Sequence, residues 1–183
     1  ALCYDQALYT HQNHRDSWYN KGIVFSSLGD LAEAVECYKK ALKIDPNHRD
    51  SWYKKGIALD EREKYSEAME CYEKALKIDP NHRDSWYNKG ITAKSMGNLN
   101  EAVKCYNKAL KLDPKHLKSW CNKGIALRIL GNFSEAIDCY DQALKIDPND
   151  LDTWFNKASS LRALGNAFDA VKCYEKAIQI EPK

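Results

Sequence analysis

Five tryptophans, Trp18, Trp52, Trp86, Trp120 and Trp154, stand 34 residues apart, kept in step by Tyr38, Tyr72, Tyr106, Tyr140 and Tyr174 and by prolines 46, 80, 114, 148 and 182. A strict period of this length restricts a chain to an array of like supersecondary units, each burying its apolar surface against its neighbours. Counted from Arg15, the 183 residues divide into a leading half unit, 1–14, and five units, 15–48, 49–82, 83–116, 117–150 and 151–183. They read as one continuous domain.

Each unit carries two helical stripes. Trp18, Gly22, Phe25 and Leu28 follow the 3.6-residue period, Gly29-Asp30 interrupts it, and Leu31, Ala34, Val35, Tyr38, Ala41 and Leu42 resume it until Ile44-Asp45-Pro46. The unit is therefore a pair of antiparallel helices joined by a tight turn, with Gly22 expected to meet Tyr38 and Ala41. Asp30-x-x-Glu33, Asn98-x-x-Glu101 and Asn132-x-x-Glu135 have the form of capping boxes for second helices; Asn47-x-x-Asp50 and Asn81-x-x-Asp84 have it for first helices. Residues 1–11, with Tyr4 and Ala7 in register with Tyr38 and Ala41, would be an orphan second helix, making eleven helices. The chain begins in mid-pattern and without methionine, so it reads as part of something longer.

These residues resemble the tetratricopeptide repeat pattern, W-x2-L-G-x2-Y, then A-x3-F, then P, in 34 residues. Here it reads Trp18-x2-Lys21-Gly22-x2-Phe25, Ala34-x3-Tyr38 and Pro46, and it recurs to Pro182. The resemblance implies an all-α fold, a right-handed superhelical solenoid whose first helices line a concave, peptide-binding groove. Departures are systematic. Lysine replaces leucine at 21, 55, 89, 123 and 157, with its stem expected on apolar surface and its ammonium in water; Ala158 replaces the helix glycine; Glu63 replaces a turn glycine.

Several function classes are disfavoured. Twenty-eight Lys and Arg against 26 Asp and Glu leave +2, without the basic excess that phosphate backbones demand, so no nucleic acid is expected. No apolar run approaches the ~20 residues of a membrane span, so no membrane partner is expected. No nucleophile elbow, phosphate loop or zinc motif appears, so the chain is read as no enzyme and as needing no cofactor. His14, His48, His82 and His116 recur beside the turns, with Asp150 in the fifth unit, and are read as solvated turn residues rather than a metal ladder. Cys3, Cys37, Cys71, Cys105, Cys139 and Cys173 share one register and read as buried small apolar side chains. Seven free thiols suit a reducing compartment, so a cytoplasmic location is expected.

The first helix offers a second surface. Numbering each unit so that Trp18 is position 4, positions 2, 5, 9 and 12 lie away from the tryptophan stripe. Position 5 carries Tyr19, Tyr53, Tyr87, Cys121 and Phe155, and position 9 carries Ile23, Ile57, Ile91 and Ile125. Apolar side chains there point either to a surface meant to be covered or to padding between adjacent first helices. Cys121 is the candidate accessible thiol. Position 6 holds Asn20, Lys54, Asn88, Asn122 and Asn156. An amide both donates and accepts, so such a column is able to grip an extended backbone; it resembles the asparagine ladder in the tetratricopeptide domain of O-GlcNAc transferase, although asparagine here is also general in the family. Position 12 runs Ser26, Asp60, Lys94, Arg128 and Arg162, and position 2 holds Lys118 where the other units have aspartate. Those aspartates lie in a helix first turn, which favours them anyway. The basic residues lack that reason, and unit 83–116 holds seven basic against three acidic side chains. The chaperone-tail clamp of some family members is matched only in fragments, by Asn88, Lys118 and Asn122.

The leading reading is a non-catalytic scaffold that binds an extended protein or peptide segment, with an acidic stretch toward the third to fifth units. The alternatives are a homo-oligomer stacking through uncapped ends, and a regulatory domain of a larger enzyme.

Overall fold

The computed structural model describes residues 14–180. Among them are ten helices and no strand: α1 (Arg15–Ser27), α2 (Leu31–Ile44), α3 (Arg49–Asp60), α4 (Tyr65–Ile78), α5 (Arg83–Ser95), α6 (Leu99–Leu112), α7 (Leu117–Ile129), α8 (Phe133–Ile146), α9 (Leu151–Ala163) and α10 (Ala167–Ile180). The expected orphan helix at 1–11 lies outside the described residues. The helices form two compact bodies that divide between Met96 and Gly97. In the first, α1 packs on α2, α2 on α3, α3 on α4 and α4 on α5. In the second the same chain of contacts runs from α6 to α10. First helices also touch one another across a repeat, α1 with α3, α3 with α5, and α7 with α9. No described helix is long and apolar enough to cross a membrane.

The joint within a pair is a small residue facing a large one. A methyl built on Gly22 falls 2.6 Å from a ring carbon of Tyr38; on Gly56 it falls 2.6 Å from Tyr72, and on Gly124 2.5 Å from Tyr140. Tyr38, Tyr72, Tyr106 and Tyr140 are all but completely buried, and Ala34, Ala68, Ala102 and Ala136 in the same helices are fully so. In the last repeat, Ala158 carries the methyl the others lack, and Tyr174 is only half-buried.

Turns and caps differ in part from expectation. Gly29, Gly97, Gly131 and Gly165 hold φ between +78° and +83°, the left-handed conformation that ends a first helix, and Glu63 adopts it at φ +59°. Asp30 caps α2 by accepting from the Glu33 N–H, but Asn98 and Asn132 make no side-chain cap bond. The N-cap position of four first helices is a histidine, not an asparagine, though only His82 among them makes a side-chain cap bond. The His82 Nδ1 accepts from the Ser85 N–H at 3.2 Å, and Asp150 accepts from the Thr153 N–H at 2.7 Å. In α3 the His48 ring lies 2.7 Å from the Ser51 hydroxyl. Half-buried in this way, the rings are structural rather than solvated. Burial, followed by Arg15 for His48 and Arg49 for His82, draws both below the usual imidazole range.

The tryptophan side carries regular polar contacts. Each of Trp52, Trp86, Trp120 and Trp154 donates its indole N–H to a proline carbonyl six residues earlier, at 2.8 to 2.9 Å. The lysines at position 7 do not simply reach water. The ammonium of Lys55 stands 5.0 Å from the Trp52 ring and that of Lys123 5.3 Å from Trp120. Lys89, nearly buried, pairs with Glu73 at 3.0 Å, and Lys157 with Asp141 at 2.5 Å. Each of these two pairs ties a first helix to the second helix before it.

Candidate functional site

In the first body, α1, α3 and α5 carry Tyr19, Asn20, Tyr53, Lys54, Tyr87, Asn88 and Lys94; in the second, α7 and α9 carry Lys118, Cys121, Asn122, Arg128, Phe155, Asn156 and Arg162. Because first helices touch across each repeat, these residues share a face within each body.

The position-5 rings do part of the packing. Tyr19 meets the His48 ring edge-on at 5.1 Å and Tyr53 meets His82 at 4.9 Å, so each ring seats the N-cap of the following first helix. Burial pushes the Tyr53 phenol up to about 12. Cys121 takes the same place in α7: its sulfur lies 3.1 Å from the Thr153 hydroxyl, and burial raises the thiol's pKa. Cys121 is the one described cysteine that is only part-buried, as its register suggests, but its thiol is raised rather than lowered, the reverse of activation. Phe155 is 48% exposed, with its ring 5.7 Å from Tyr174.

The asparagine column is narrower in chemistry than its amides allow in principle. Asn88 Nδ2 donates to the Tyr53 hydroxyl and to the Asp84 carbonyl, both at 3.0 Å, which uses both of its protons. Asn122 and Asn156 likewise donate to the carbonyls of Lys118 and Asp152 four residues back. What Asn88 presents is its amide oxygen, an acceptor for a peptide N–H. Asn20 makes no such bond, and Lys54 lays its ammonium 5.7 Å from the ring of Tyr53.

Position 12 looks onto the buried tyrosine of its own repeat. Ser26 Oγ is 3.3 Å from the Tyr38 hydroxyl. Asp60 accepts from the Thr92 hydroxyl at 2.5 Å, and burial raises its carboxyl. Lys94 is half-buried, with its pKa drawn down by burial, and Arg162 is exposed. Lys118 is exposed at the start of α7.

Two kinds of cavity open on the molecule. One of about 240 Å³ lies on the first-helix face of α1 and α3, lined by Ile23, Ser26, Tyr38, Lys54, Ile57 and Glu61. A larger one of about 860 Å³ lies on the tryptophan flank of α7, α8 and α9, between Trp120 and Trp154, with Lys123, Lys145, Glu135 and Asp138 among its walls. Its charges are of both signs and its indoles already carry lysines. Among the described residues no His, Cys, Asp and Glu are grouped to hold a metal ion.

The tetratricopeptide repeat model matches residues 16–48, 50–82, 84–116 and 117–150, and a second tetratricopeptide repeat model matches 139–172. The chain belongs to the tetratricopeptide repeat family. No curated protein sequence matches it. Solved structures do: YrrB, described as a tetratricopeptide repeat protein with an unusual peptide-binding site, is 24% identical with a TM-score of 0.85, covering 98% of this chain and 93% of its own. MamA from Desulfovibrio magneticus RS-1 is 20% identical with a TM-score of 0.87, covering 91% of this chain and 94% of its own. MamA AMB-1 is 25% identical with a TM-score of 0.80, covering 90% of each. The fold is thus the solenoid of antiparallel helix pairs that the repeat pattern implies, and its family supports a protein-interaction scaffold.

The histidine–serine contacts at the starts of the first helices are what sequence reasoning missed. Their signal was present in His-x-x-Ser, repeated at 14, 48, 82 and 116 and replaced by Asp150-x-x-Thr153, an acceptor three residues before a small hydroxyl residue.

Proposed function

We propose that this tetratricopeptide repeat chain is a non-catalytic scaffold whose first-helix face binds an extended peptide bearing an acidic stretch. The observation that carries this reading is the 240 Å³ cavity on that face, whose lining joins the apolar Ile23 and Ile57 to the polar Ser26, Lys54 and Glu61. On the next first helix Asn88 gives its amide N–H groups to Tyr53 and Asp84, which leaves its oxygen as an acceptor. An extended strand offers backbone N–H groups to such acceptors while its side chains enter the recesses. The peptide-binding description of YrrB supports the same assignment. Lys94, Lys118, Arg128 and Arg162 supply the preference for acid. The test is selection from a random peptide library displayed on phage: the protein is expected to enrich acidic sequences, and the Tyr53→Ala, Ile57→Ala variant to lose them. Enrichment that survives that variant, or none at all, removes the proposal.

A second reading, self-association, rests on α10. Phe168, Val171 and Ile178 are 73%, 54% and 65% exposed, whereas Val35 and Leu42, the counterparts of the last two, are 3% and 7%. Light scattering over a concentration series tests it: growth in mass that Val171→Lys, Ile178→Lys abolishes supports association through this face, and a constant monomer mass dismisses it.

A further inference from the structure

On the tryptophan flank, the fourth repeat differs from the second by one missing ammonium. Trp18 and Trp52 each carry two lysines. One follows three residues later in the same helix, Lys21 at 5.5 Å and Lys55 at 5.0 Å from the ring centre. The other comes from the second helix of the pair, Lys40 at 4.2 Å and Lys74 at 4.3 Å. Trp120 keeps the first of these, Lys123 at 5.3 Å, but the register of Lys40 and Lys74 holds Gln142. Lysine fills that register in every other repeat, at 40, 74, 108 and 176. Among the described residues no second ammonium stands over the Trp120 ring. The place is open instead: Trp120 and Gln142 both line the cavity of about 860 Å³. A volume of that size lies within the range of ligand clefts, about 300–1,000 Å³.

The carboxylates that accompany that lysine are still present. In the second repeat Glu67, Glu70 and Glu73 are matched by Lys55, Lys74 and Lys77, three charges of each sign. The same six registers in the fourth hold Glu135, Asp138 and Asp141 against only Lys123 and Lys145, and all five of these line the cavity. The pair to the next first helix is common to both repeats, Glu73 with Lys89 at 3.0 Å and Asp141 with Lys157 at 2.5 Å, so it does not account for the difference. Trp120 gives its N–H to the Pro114 carbonyl at 2.9 Å, which leaves the ring itself to meet a ligand. An indole ring attracts a cation through its electron-rich face, and the surplus carboxylate adds to that attraction. A neutral side chain gains neither. We propose that this cavity is a docking site for the ammonium or guanidinium side chain of a partner protein, which takes over Trp120 the place that Lys40 and Lys74 take over Trp18 and Trp52. The site lies on the tryptophan flank and does not depend on peptide binding at the first-helix face.

The test follows the indole N–H signals of Trp120 and Trp52 by NMR in the intact protein during titration with three capped peptides. Acetyl-Gly-Lys-Gly-amide brings an ammonium, acetyl-Gly-Arg-Gly-amide a guanidinium, and acetyl-Gly-norleucine-Gly-amide a neutral chain close to lysine in length. Trp120 is expected to shift saturably with the lysine peptide, the arginine peptide or both, at about tenfold lower concentration than with the norleucine peptide, the size of a desolvated cation–π contact. Trp52, already covered by Lys74, is expected to show no saturable shift. Gln142→Lys supplies the ammonium from the chain itself, in a register where the other four repeats carry lysine, so it is expected to fold and to weaken the response about tenfold. Gln142→Met, neutral and of similar length, is expected to keep it. Asp138→Asn is expected to weaken binding of the cationic peptides about threefold and to leave the norleucine peptide unchanged, as for a part-exposed charge pair. The proposal is overturned if no peptide shifts Trp120 saturably, if norleucine binds as tightly as lysine and arginine, if Trp52 responds as Trp120 does, or if Gln142→Lys binds as tightly as the parent.

Discussion

Replacing Gly56 by alanine sets two opposing effects against each other. In a helix interior, alanine is favoured over glycine by about 1 kcal/mol, because glycine loses more freedom on folding. The added methyl, however, falls 2.6, 2.9 and 3.0 Å from three ring atoms of Tyr72. Ordinary carbon contacts lie at about 3.5–4.0 Å, so the overlap approaches 1 Å. Tyr72 is 1% exposed and has no open side toward which to swing. Overpacking of this kind costs about 1–3 kcal/mol, and three simultaneous overlaps place this case in the upper part of the range. The net effect is destabilisation of about 1–2 kcal/mol. At roughly 2–4 °C per kcal/mol for a chain of this size, Gly56→Ala is expected to lower Tm by about 2–8 °C in a circular-dichroism melt. Combining it with Tyr72→Leu takes away the ring atoms and leaves only the helix preference, so the sign reverses and alanine stabilises the double variant relative to Tyr72→Leu alone. A Tm for Gly56→Ala at or above the parent's, or the same cost in both backgrounds, refutes the argument. Repeat five is the natural counterpart, where Ala158 sits beside a Tyr174 that is only half-buried.

Other outcomes follow from single features. Glu63 holds φ +59°, a conformation costing a side chain-bearing residue about 1–2 kcal/mol, so Glu63→Gly is expected to raise the guanidinium midpoint by roughly 0.5–1 kcal/mol equivalents, and an unchanged or lower midpoint refutes the strain. His48 and His82 titrate below the usual imidazole range because burial disfavours their charged form, with Arg15 and Arg49 adding to it and nearby aspartates such as Asp50, Asp79 and Asp84 opposing. The native state thus binds fewer protons than the unfolded chain. Stability is full above about pH 6.5, the unfolded value, and declines as pH falls through it. In His48→Asn, His82→Asn, which keeps an acceptor at each cap, Tm should fall less between pH 7 and 5.5; an unaltered profile removes the histidines from the argument. Lys94→Glu, Arg128→Glu should weaken capture of an acidic peptide and flatten its salt dependence, as read by fluorescence anisotropy at two ionic strengths, and unchanged affinity dismisses the charge preference.

The repeat made the fold legible before any coordinate. A 34-residue period of Trp, Gly, Tyr, Ala and Pro fixes helix, turn and helix, and the structure's second helices run from Leu31, Tyr65, Leu99, Phe133 and Ala167, just after the predicted breaks. The glycine-to-tyrosine contact was equally readable, because a missing side chain facing an aromatic at fixed spacing has one packing explanation. The chemistry of the first-helix face was less so. Sequence places Asn88 on the exposed stripe, but only coordinates show both amide protons spent on Tyr53 and Asp84. Cys121 keeps the partial exposure its register suggests, but only coordinates show its sulfur against the Thr153 hydroxyl of the next first helix. The histidines looked solvated, yet His48 and His82 stand at the starts of helices against tyrosines one repeat earlier.

The division follows from the range of the forces. Periodicity and turn residues act over a few positions along the chain, so the identity and order of the helices are determined by the sequence itself. Which polar atoms find partners depends on contacts between residues some 16 to 35 positions apart, such as Lys157 with Asp141 and Asn88 with Tyr53. No local pattern encodes those distances. Arg128 reads from the sequence as one more basic residue in a column; only packing sets its charge beside the buried Tyr140 hydroxyl.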